Sequence, residues 1–237
     1  MADYINIFGQ KIQYLSSDPS PVQTGQVWYN STANTLKYRG ASSTSAWSTG
    51  NSINTGRAAM GSAGNASATL GFGGYAPSSF RSLVESYDGT SWTETTNMND
   101  ARSFLGGAGT QTAALAFGGN PGPVVESWNG SSWTTVSNLN SGRYELGGAG
   151  VTNTAALAFG GYPAESSTEL WNGSSWTNVS SLNTARTGVF GNGPSTSVLA
   201  FAGSSPKTAT ESWNGSSWTS VSSLNTGRRD VANCIGT

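Results

Sequence analysis

Two charged residue types recur along the chain at a spacing that could build ion pairs. Only 23 of the 237 residues are charged, 11 basic and 12 acidic. One arginine returns every 41 to 45 residues, at Arg57, Arg102, Arg143, Arg186 and Arg228. One glutamate returns with the same period, at Glu85, Glu126, Glu169 and Glu211. We expect each arginine to bind a glutamate through a charge-assisted hydrogen bond that fixes its repeat. The alternative is a ring of arginines that binds an acidic ligand at one mouth of a channel.

The sequence has few other residues of the types that catalyse reactions or bind metals. The chain has no histidine, which is the commonest general base and transition-metal ligand, and its one cysteine, Cys234, cannot form an internal disulfide or a zinc site. We interpret Cys234 as an inert buried thiol. The sequence therefore predicts a protein that is not an enzyme and that has no cofactor and no metal. The net charge of −1 predicts no nucleic-acid partner. With no signal peptide and no apolar run of ~18 residues, we expect neither secretion nor membrane insertion.

The elements that position the charged residues form a repeat. An aromatic residue, Asn-Gly or Asp-Gly, and a tryptophan recur in each copy, and the tryptophans are Trp92, Trp133, Trp176 and Trp218. A period in the low forties without a helical pattern is typical of a four-stranded propeller blade. The first strand is rich in small residues, and the second is apolar on both faces. Because the tryptophans recur in every copy, we interpret them as core residues rather than as sugar-stacking platforms.

The chain ends are predicted to complete the ring. Full repeats occupy residues 57–227, and residues 23–56 fit the second, third and fourth strands of another blade. Residues 228–237 fit its missing first strand. The prediction is thus an all-β fold, a five-bladed propeller over residues 23–237 whose last blade combines both chain ends and removes exposed sheet edges. Residues 1–22 form a separate N-terminal arm, which we expect to contain a small hairpin.

Two surfaces are candidates for binding partners. The loops between second and third strands vary while the strands hardly change, which points to a partner-specific surface; drift in unconstrained loops explains the variation as well. The candidate loop residues are Tyr75, Phe80, Asn120, Tyr162 and Lys207. The arm carries the candidate anchoring residues Ile5, Ile7, Phe8 and Tyr14. It can pack on its own propeller or dock on a neighbouring protein, and we favour docking.

Two segments resemble known families. The glycine pairs Gly73-Gly74, Gly118-Gly119 and Gly160-Gly161, each followed by an aromatic residue and a tryptophan, resemble the kelch motif; the fourth repeat departs from it with Ala202-Gly203. Residues 19–47, which include PSPVQTGQVWYNSTANTLKY, are similar to a segment near the start of many tail, fibre and other virion proteins of tailed bacteriophages. Together they resemble kelch-like virion proteins of cyanophages.

These resemblances imply a function that the repeat spacing alone does not. They imply a non-enzymatic virion structural protein on the head, neck or tail, as a decoration protein or tail fibre component. Such a protein would attach to other virion proteins through its arm and would be capable of host adhesion. The alternative is a propeller lectin that binds host surface glycans as a receptor-binding module. In either case the expected location is the virion.

Overall fold

The computed structural model describes residues 4–7, 10–21, 26–38, 50–204 and 208–228. The chain divides into two compact units, Met1–Thr49 and Gly50–Thr237. The described residues form strands and turns without any helix, so the predicted all-β class is confirmed. The boundary between the units follows residue 49, whereas the sequence prediction put it after residue 22.

The first unit is a four-stranded sheet. Its strands, in spatial and chain order, are β1 (Tyr4–Ile7), β2 (Gln10–Leu15), β3 (Val27–Asn30) and β4 (Thr35–Tyr38). Strands β1 and β2 form the hairpin expected for the arm, and β3 and β4 are also antiparallel. Strand β2 pairs in parallel with β3, which the sequence analysis did not foresee. The predicted arm and the N-terminal part of the predicted closing blade thus share one sheet.

This pairing bears on the predicted fifth blade. A first strand contributed by the C-terminus would need the edge of β3 that β2 occupies. Residues 39–49, with the predicted fourth strand, and residues 229–237, with the predicted first strand and Cys234, lie outside the described residues. The number of blades and the closure of the ring therefore stay predictions.

The second unit contains four antiparallel sheets of four strands, one for each full repeat, in a β-propeller-like architecture. The first sheet consists of β5 (Gly61–Asn65), β6 (Ala68–Phe72), β9 (Val84–Tyr87) and β10 (Trp92–Thr95), with a small hairpin of β7 (Tyr75–Ala76) and β8 (Ser79–Phe80) in one loop. The second consists of β11 (Gly106–Gly109), β12 (Ala114–Phe117), β13 (Val125–Trp128) and β14 (Trp133–Val136). The third consists of β15 (Gly147–Thr152), β16 (Ala155–Phe159), β17 (Thr168–Trp171) and β18 (Trp176–Val179). The fourth consists of β19 (Phe190–Asn192), β20 (Val198–Phe201), β21 (Thr210–Trp213) and β22 (Trp218–Ser220).

The first strands of successive sheets lie side by side, and their glycines make this possible. The ring of Phe117, on β12, fills the space where a Cβ on Gly106 of its own sheet would lie, 2.3 Å away, and where one on Gly148 of the next sheet would lie, 2.7 Å away. Phe72 and Phe159 fill the same place in their sheets. Each phenylalanine ring therefore packs between two inner strands, and only glycine at these inner-strand positions leaves room for the ring.

The tryptophans pack between neighbouring sheets. The Trp133 ring contacts Phe72 of the preceding sheet edge to face, with ring centroids 5.4 Å apart, and Trp176 and Trp218 make equivalent contacts with Phe117 and Phe159. These tryptophans are at most 6% exposed. Their faces are consequently part of the core and are closed to a sugar ring, in agreement with the core interpretation.

We expect replacement of Gly107 by alanine to destabilise the second unit by about 1–3 kcal/mol, the range for an overpacked core. An added Cβ would lie 2.3 Å from the backbone oxygen of Ser62 on the adjacent inner strand, which cannot move as a side chain could. Urea denaturation followed by tryptophan fluorescence measures the change. The matched control is Gly56→Ala, where nothing lies within 4 Å of the added Cβ. Equal stabilities for the two variants would contradict the close approach of the inner strands.

In the first unit, the Asp18 carboxylate accepts hydrogen bonds from three side chains. The donors are Lys37 Nζ at 2.7 Å, Asn30 Nδ2 at 2.7 Å and Trp28 Nε1 at 2.9 Å. The bond from Lys37, followed by those from Asn30 and Trp28, lowers the pKa of Asp18 from 3.8 to about 2. Because the folded pKa is depressed, the carboxylate stabilises the sheet above pH ~4 and this contribution is lost as the pH falls through 2.

Titration of the Asp18 carboxyl carbon by NMR should give a midpoint near 2, and Lys37→Met should raise it. Asp88 is the internal control, because hydrogen bonds from the backbone N–H groups of Ser91 and Thr90 lower its pKa to about 2 independently of Lys37. An unchanged Asp18 midpoint in the Lys37→Met protein would contradict the assignment.

Candidate functional site

The structure places four of the repeated arginines against the repeated glutamates. The N···O distances are 2.5 Å for Arg57–Glu85, 3.2 Å for Arg102–Glu126, 2.5 Å for Arg143–Glu169 and 3.1 Å for Arg186–Glu211. All eight side chains are at most 1% exposed. These guanidinium groups are consequently enclosed by protein and do not line an open mouth. Arg228, the fifth, is exposed and makes no ion pair within the described residues.

Each glutamate also binds the linker that leads into its repeat. In the third repeat, the Glu169 carboxylate accepts hydrogen bonds from the backbone N–H of Asn140 at 2.8 Å and of Ser141 at 3.4 Å, as well as from Arg143. The Asn140 side chain donates to the carbonyl of Trp176 at 3.2 Å. Equivalent asparagine contacts occur in the other repeats, at Asn54, Asn99 and Asn183. The carboxylate therefore joins the third strand to the linker and to the arginine at once.

These asparagines are structural residues that the sequence analysis missed. Each stands three residues before a repeated arginine, as Asn140 does before Arg143. That constant offset is a sequence signal that could have identified them.

Burial affects the electrostatics of the pairs. It lowers the pKa of Arg102 and of Arg186, and the negative charges of Glu126 and Glu211 oppose this effect. The guanidinium of Arg186 makes no hydrogen bond within the described part of the chain, although it lies 3.1 Å from Glu211. The fourth repeat also has Phe190 where the first three have glycine on the inner strand. The last full repeat is thus the least regular of the four.

The candidate loop residues lie at the end of the sheets where the inner strands begin. Tyr75 forms an isolated bridge with Ala58, and Asn120 and Tyr162 form the equivalent bridges with Ser103 and Tyr144. Phe80 contacts Tyr75 edge to face, with centroids 5.9 Å apart. The structure therefore gathers these four loop residues on one face. The fifth, Lys207, lies outside the described residues.

A cavity of about 610 Å³ opens on this face between the inner strands. Four residues at equivalent positions line it in the left-handed backbone conformation, with φ between 54° and 58°: Ala59, Phe104, Glu145 and Gly188. Their backbones are joined in series, since Phe104 N donates to Ala59 O, Glu145 N to Phe104 O and Gly188 N to Glu145 O, at 2.8–2.9 Å. Glu145 is the only charged residue among the described residues that line the cavity.

Aromatic side chains flank the cavity. The Tyr144 ring lies 4.8 Å from the Tyr162 ring and 6.2 Å from the Phe104 ring. Phe104 and Tyr162 are 40% and 49% exposed. Burial, with the nearby Tyr162 and Glu145, raises the pKa of Tyr144, so this phenol stays neutral at physiological pH. The face therefore offers a binding partner an aromatic surface and an apolar cavity whose described lining includes Glu145.

The candidate anchoring residues lie in the first unit. Ile5 and Ile7 lie on β1, and Phe8 is outside the described residues. Tyr14 lies on β2, is 42% exposed and stacks on Tyr29 with ring centroids 4.8 Å apart. Tyr14 thus has one covered face and a partly open edge.

No protein-family model matches the chain, and no curated protein is significantly similar to it. Within the part of the chain that the structure describes, there is no helix long and apolar enough to cross a membrane. The same residues contain no group of three or more acidic, histidine or cysteine side chains placed to hold a metal ion.

We expect Arg143→Ala to lower the free energy of unfolding by about 3–5 kcal/mol, the range for removal of one partner from a buried ion pair. The variant leaves the Glu169 carboxylate buried without its countercharge. Denaturant unfolding measures the loss, and the exposed Arg228→Ala provides the matched control, with an expected change within about 0.5 kcal/mol. A stability equal to that of the unmodified protein for Arg143→Ala would show that the pair does not hold the repeat together. A large loss for Arg228→Ala would instead indicate a fifth pair with residues outside the described ones.

Proposed function

We propose that this chain is a non-enzymatic structural protein of a tailed-phage virion, a five-bladed kelch-like propeller that attaches to other virion proteins. The proposal rests on where the charged and the aromatic side chains lie. Four of its arginines and their four glutamates are consumed in buried internal pairs. The exposed surface at the mouth is built instead from aromatic side chains, which are typical anchors of protein interfaces.

The first unit supports an attachment role. Beside Tyr14, its exposed apolar side chains include Leu36, 60% exposed, and Tyr38, 77% exposed. These residues belong to or adjoin the segment 19–47 that resembles the N-terminal part of phage tail and fibre proteins. We assign docking on neighbouring virion proteins to this unit. The propeller face remains free in this scheme for a second partner.

Nucleic acid fits the chain poorly as a partner. Binding to phosphates needs several exposed basic side chains on one face. Here the net charge is −1, and four of the 11 basic residues are enclosed in ion pairs. Packaged DNA is therefore not part of the proposal.

The second candidate function is a lectin that binds host glycans as a receptor-binding module. One observation favours it: Tyr162, in a variable loop, is half exposed, and its ring lies 4.8 Å from the Tyr144 ring at a tilt of 30°. An exposed tyrosine face can pack against the apolar face of a sugar ring. In this function the propeller would face the host rather than another virion protein.

Purified particles of the phage that encodes this chain test the proposal. We expect the chain to remain with the particles through density-gradient centrifugation and a high-salt wash, because apolar contacts do not weaken with ionic strength as charge contacts do. Mass spectrometry of the gradient fractions is the measurement, with a soluble phage enzyme as the control. A chain found only in the soluble lysate would contradict a virion role.

A glycan array separates the two candidates. Under the structural proposal, the purified protein binds no glycan reproducibly. Reproducible binding that Tyr162→Ala abolishes, and that an exposed substitution outside the face such as Thr93→Ala leaves unchanged, would favour the lectin.

A further inference from the structure

We infer that the cavity between the inner strands binds a lysine or arginine side chain carried by a protruding segment of a partner protein. The inference deepens the attachment function proposed above and rests on it for the class of partner.

The backbone at the cavity is strained at three equivalent positions. Ala59, Phe104 and Glu145 have φ near +55°, a conformation that costs residues other than glycine about 1–2 kcal/mol each. Gly188 at the equivalent position shows that the fold accepts glycine there. Backbone strain at positions where glycine would relieve it is a feature that clusters at functional sites. At this position the lining of the cavity includes Phe104, which carries an aromatic ring, and Glu145, which carries a carboxylate.

The charge of the described cavity lining comes from Glu145. The Glu145 carboxylate makes no hydrogen bond or ion pair with the described residues, unlike the four repeated glutamates. It is half-buried, and it is the one charged side chain among the described residues of the lining. A carboxylate that is partly withdrawn from water and has no countercharge favours a cation.

The rest of the described cavity lining is mainly apolar. Its remaining lining consists mainly of inner-strand glycines and of apolar side chains such as Leu105, Leu146 and Val189. Lysine and arginine have a long apolar stem and a charged end, so they can place the stem along apolar surface and the end against a carboxylate. A volume of about 610 Å³ exceeds that of a single side chain, which leaves room for the backbone of a protruding loop.

Aromatic rings adjoin Glu145. Phe104, Tyr144 and Tyr162 lie in series beside Glu145, and a cation over such rings is stabilised by cation–π attraction. A glycan would instead require several hydrogen-bonding side chains directed at its hydroxyl groups. Among the described lining residues, only Ser62 and Glu145 have polar side chains. The cavity thus fits a basic side chain better than a sugar.

The test uses the intact chain and three pentapeptides at low ionic strength: Gly-Gly-Arg-Gly-Gly, Gly-Gly-Lys-Gly-Gly, and the same peptide with citrulline, an uncharged isostere of arginine. Binding is followed by changes in the amide NMR signals of Phe104, Gly147 and Gly148. We expect the two cationic peptides to shift these signals with an affinity at least tenfold higher than that of the citrulline peptide. Equal binding of all three would overturn the inference.

Two substitutions assign the binding to Glu145. Glu145→Gln keeps the shape and should weaken the arginine peptide about tenfold, while the exposed Glu94→Gln, on the outer strand β10, serves as the matched control and should leave the affinity unchanged. Glu145→Gly should abolish the preference for the cation while the melting temperature stays equal or rises, because glycine relieves the backbone. Undiminished binding by either Glu145 variant would overturn the inference.

The outcome can be separated from that of the proposed function. Cationic peptides that bind through Glu145 support the inference even if the chain is absent from purified particles, in which case the partner is not a virion protein. A chain that stays with the particles but does not prefer the cationic peptides retains its proposed function and loses this site. Binding of a glycan that blocks the same NMR signals, with no peptide binding, would overturn the inference and favour the lectin.

Discussion

The architecture depends on a buried arginine–glutamate pair repeated in each sheet. Four-residue strands have few backbone hydrogen bonds with which to hold a sheet and its linker together. The carboxylate solves this by accepting hydrogen bonds from the arginine and from the linker backbone, as Glu169 does with Arg143 and Asn140. Because both charges are nearly inaccessible to water, losing either partner costs far more than an exposed ion pair would. The pair therefore fixes where each inner strand begins.

The packing of the inner strands follows from that fixed starting point. With the strand beginning set, each phenylalanine at the end of a second strand meets a glycine of its own sheet and another of the next sheet, as Phe117 meets Gly106 and Gly148. The fourth repeat differs both in its inner-strand packing and in its arginine–glutamate pair. Phe190 replaces the inner-strand glycine there, Phe201 is only half-buried, and the guanidinium of Arg186 lacks hydrogen bonds within the described residues. A change in packing and an ion pair without a hydrogen bond therefore occur in the same repeat.

Much of this could be predicted from the sequence, because repetition converts one weak local signal into four consistent ones. The strands, the hairpin turns and the meeting of Arg143 with Glu169 follow from period and alternation. The parallel pairing of β2 with β3 could not be predicted, since it joins segments outside the repeat and nothing in their composition specifies a partner. The left-handed conformation of Phe104 and Glu145 was also hidden, because neither residue type signals a positive φ. The candidate cavity was missed for that reason.

The structure shows which repeat positions are constrained by their contacts and which can vary. Arginine, glutamate and the linker asparagine are identical in all four full repeats, where the arginine lies against the glutamate and the asparagine backbone donates to the same carboxylate. The left-handed position is alanine, phenylalanine, glutamate and glycine in turn, although its backbone conformation hardly changes. The fold thus constrains the backbone at this position and leaves the side chain free. A surface that must recognise one particular partner can be built only where such freedom exists, and here these positions line a cavity in which Glu145 is the one charged residue among the described lining residues.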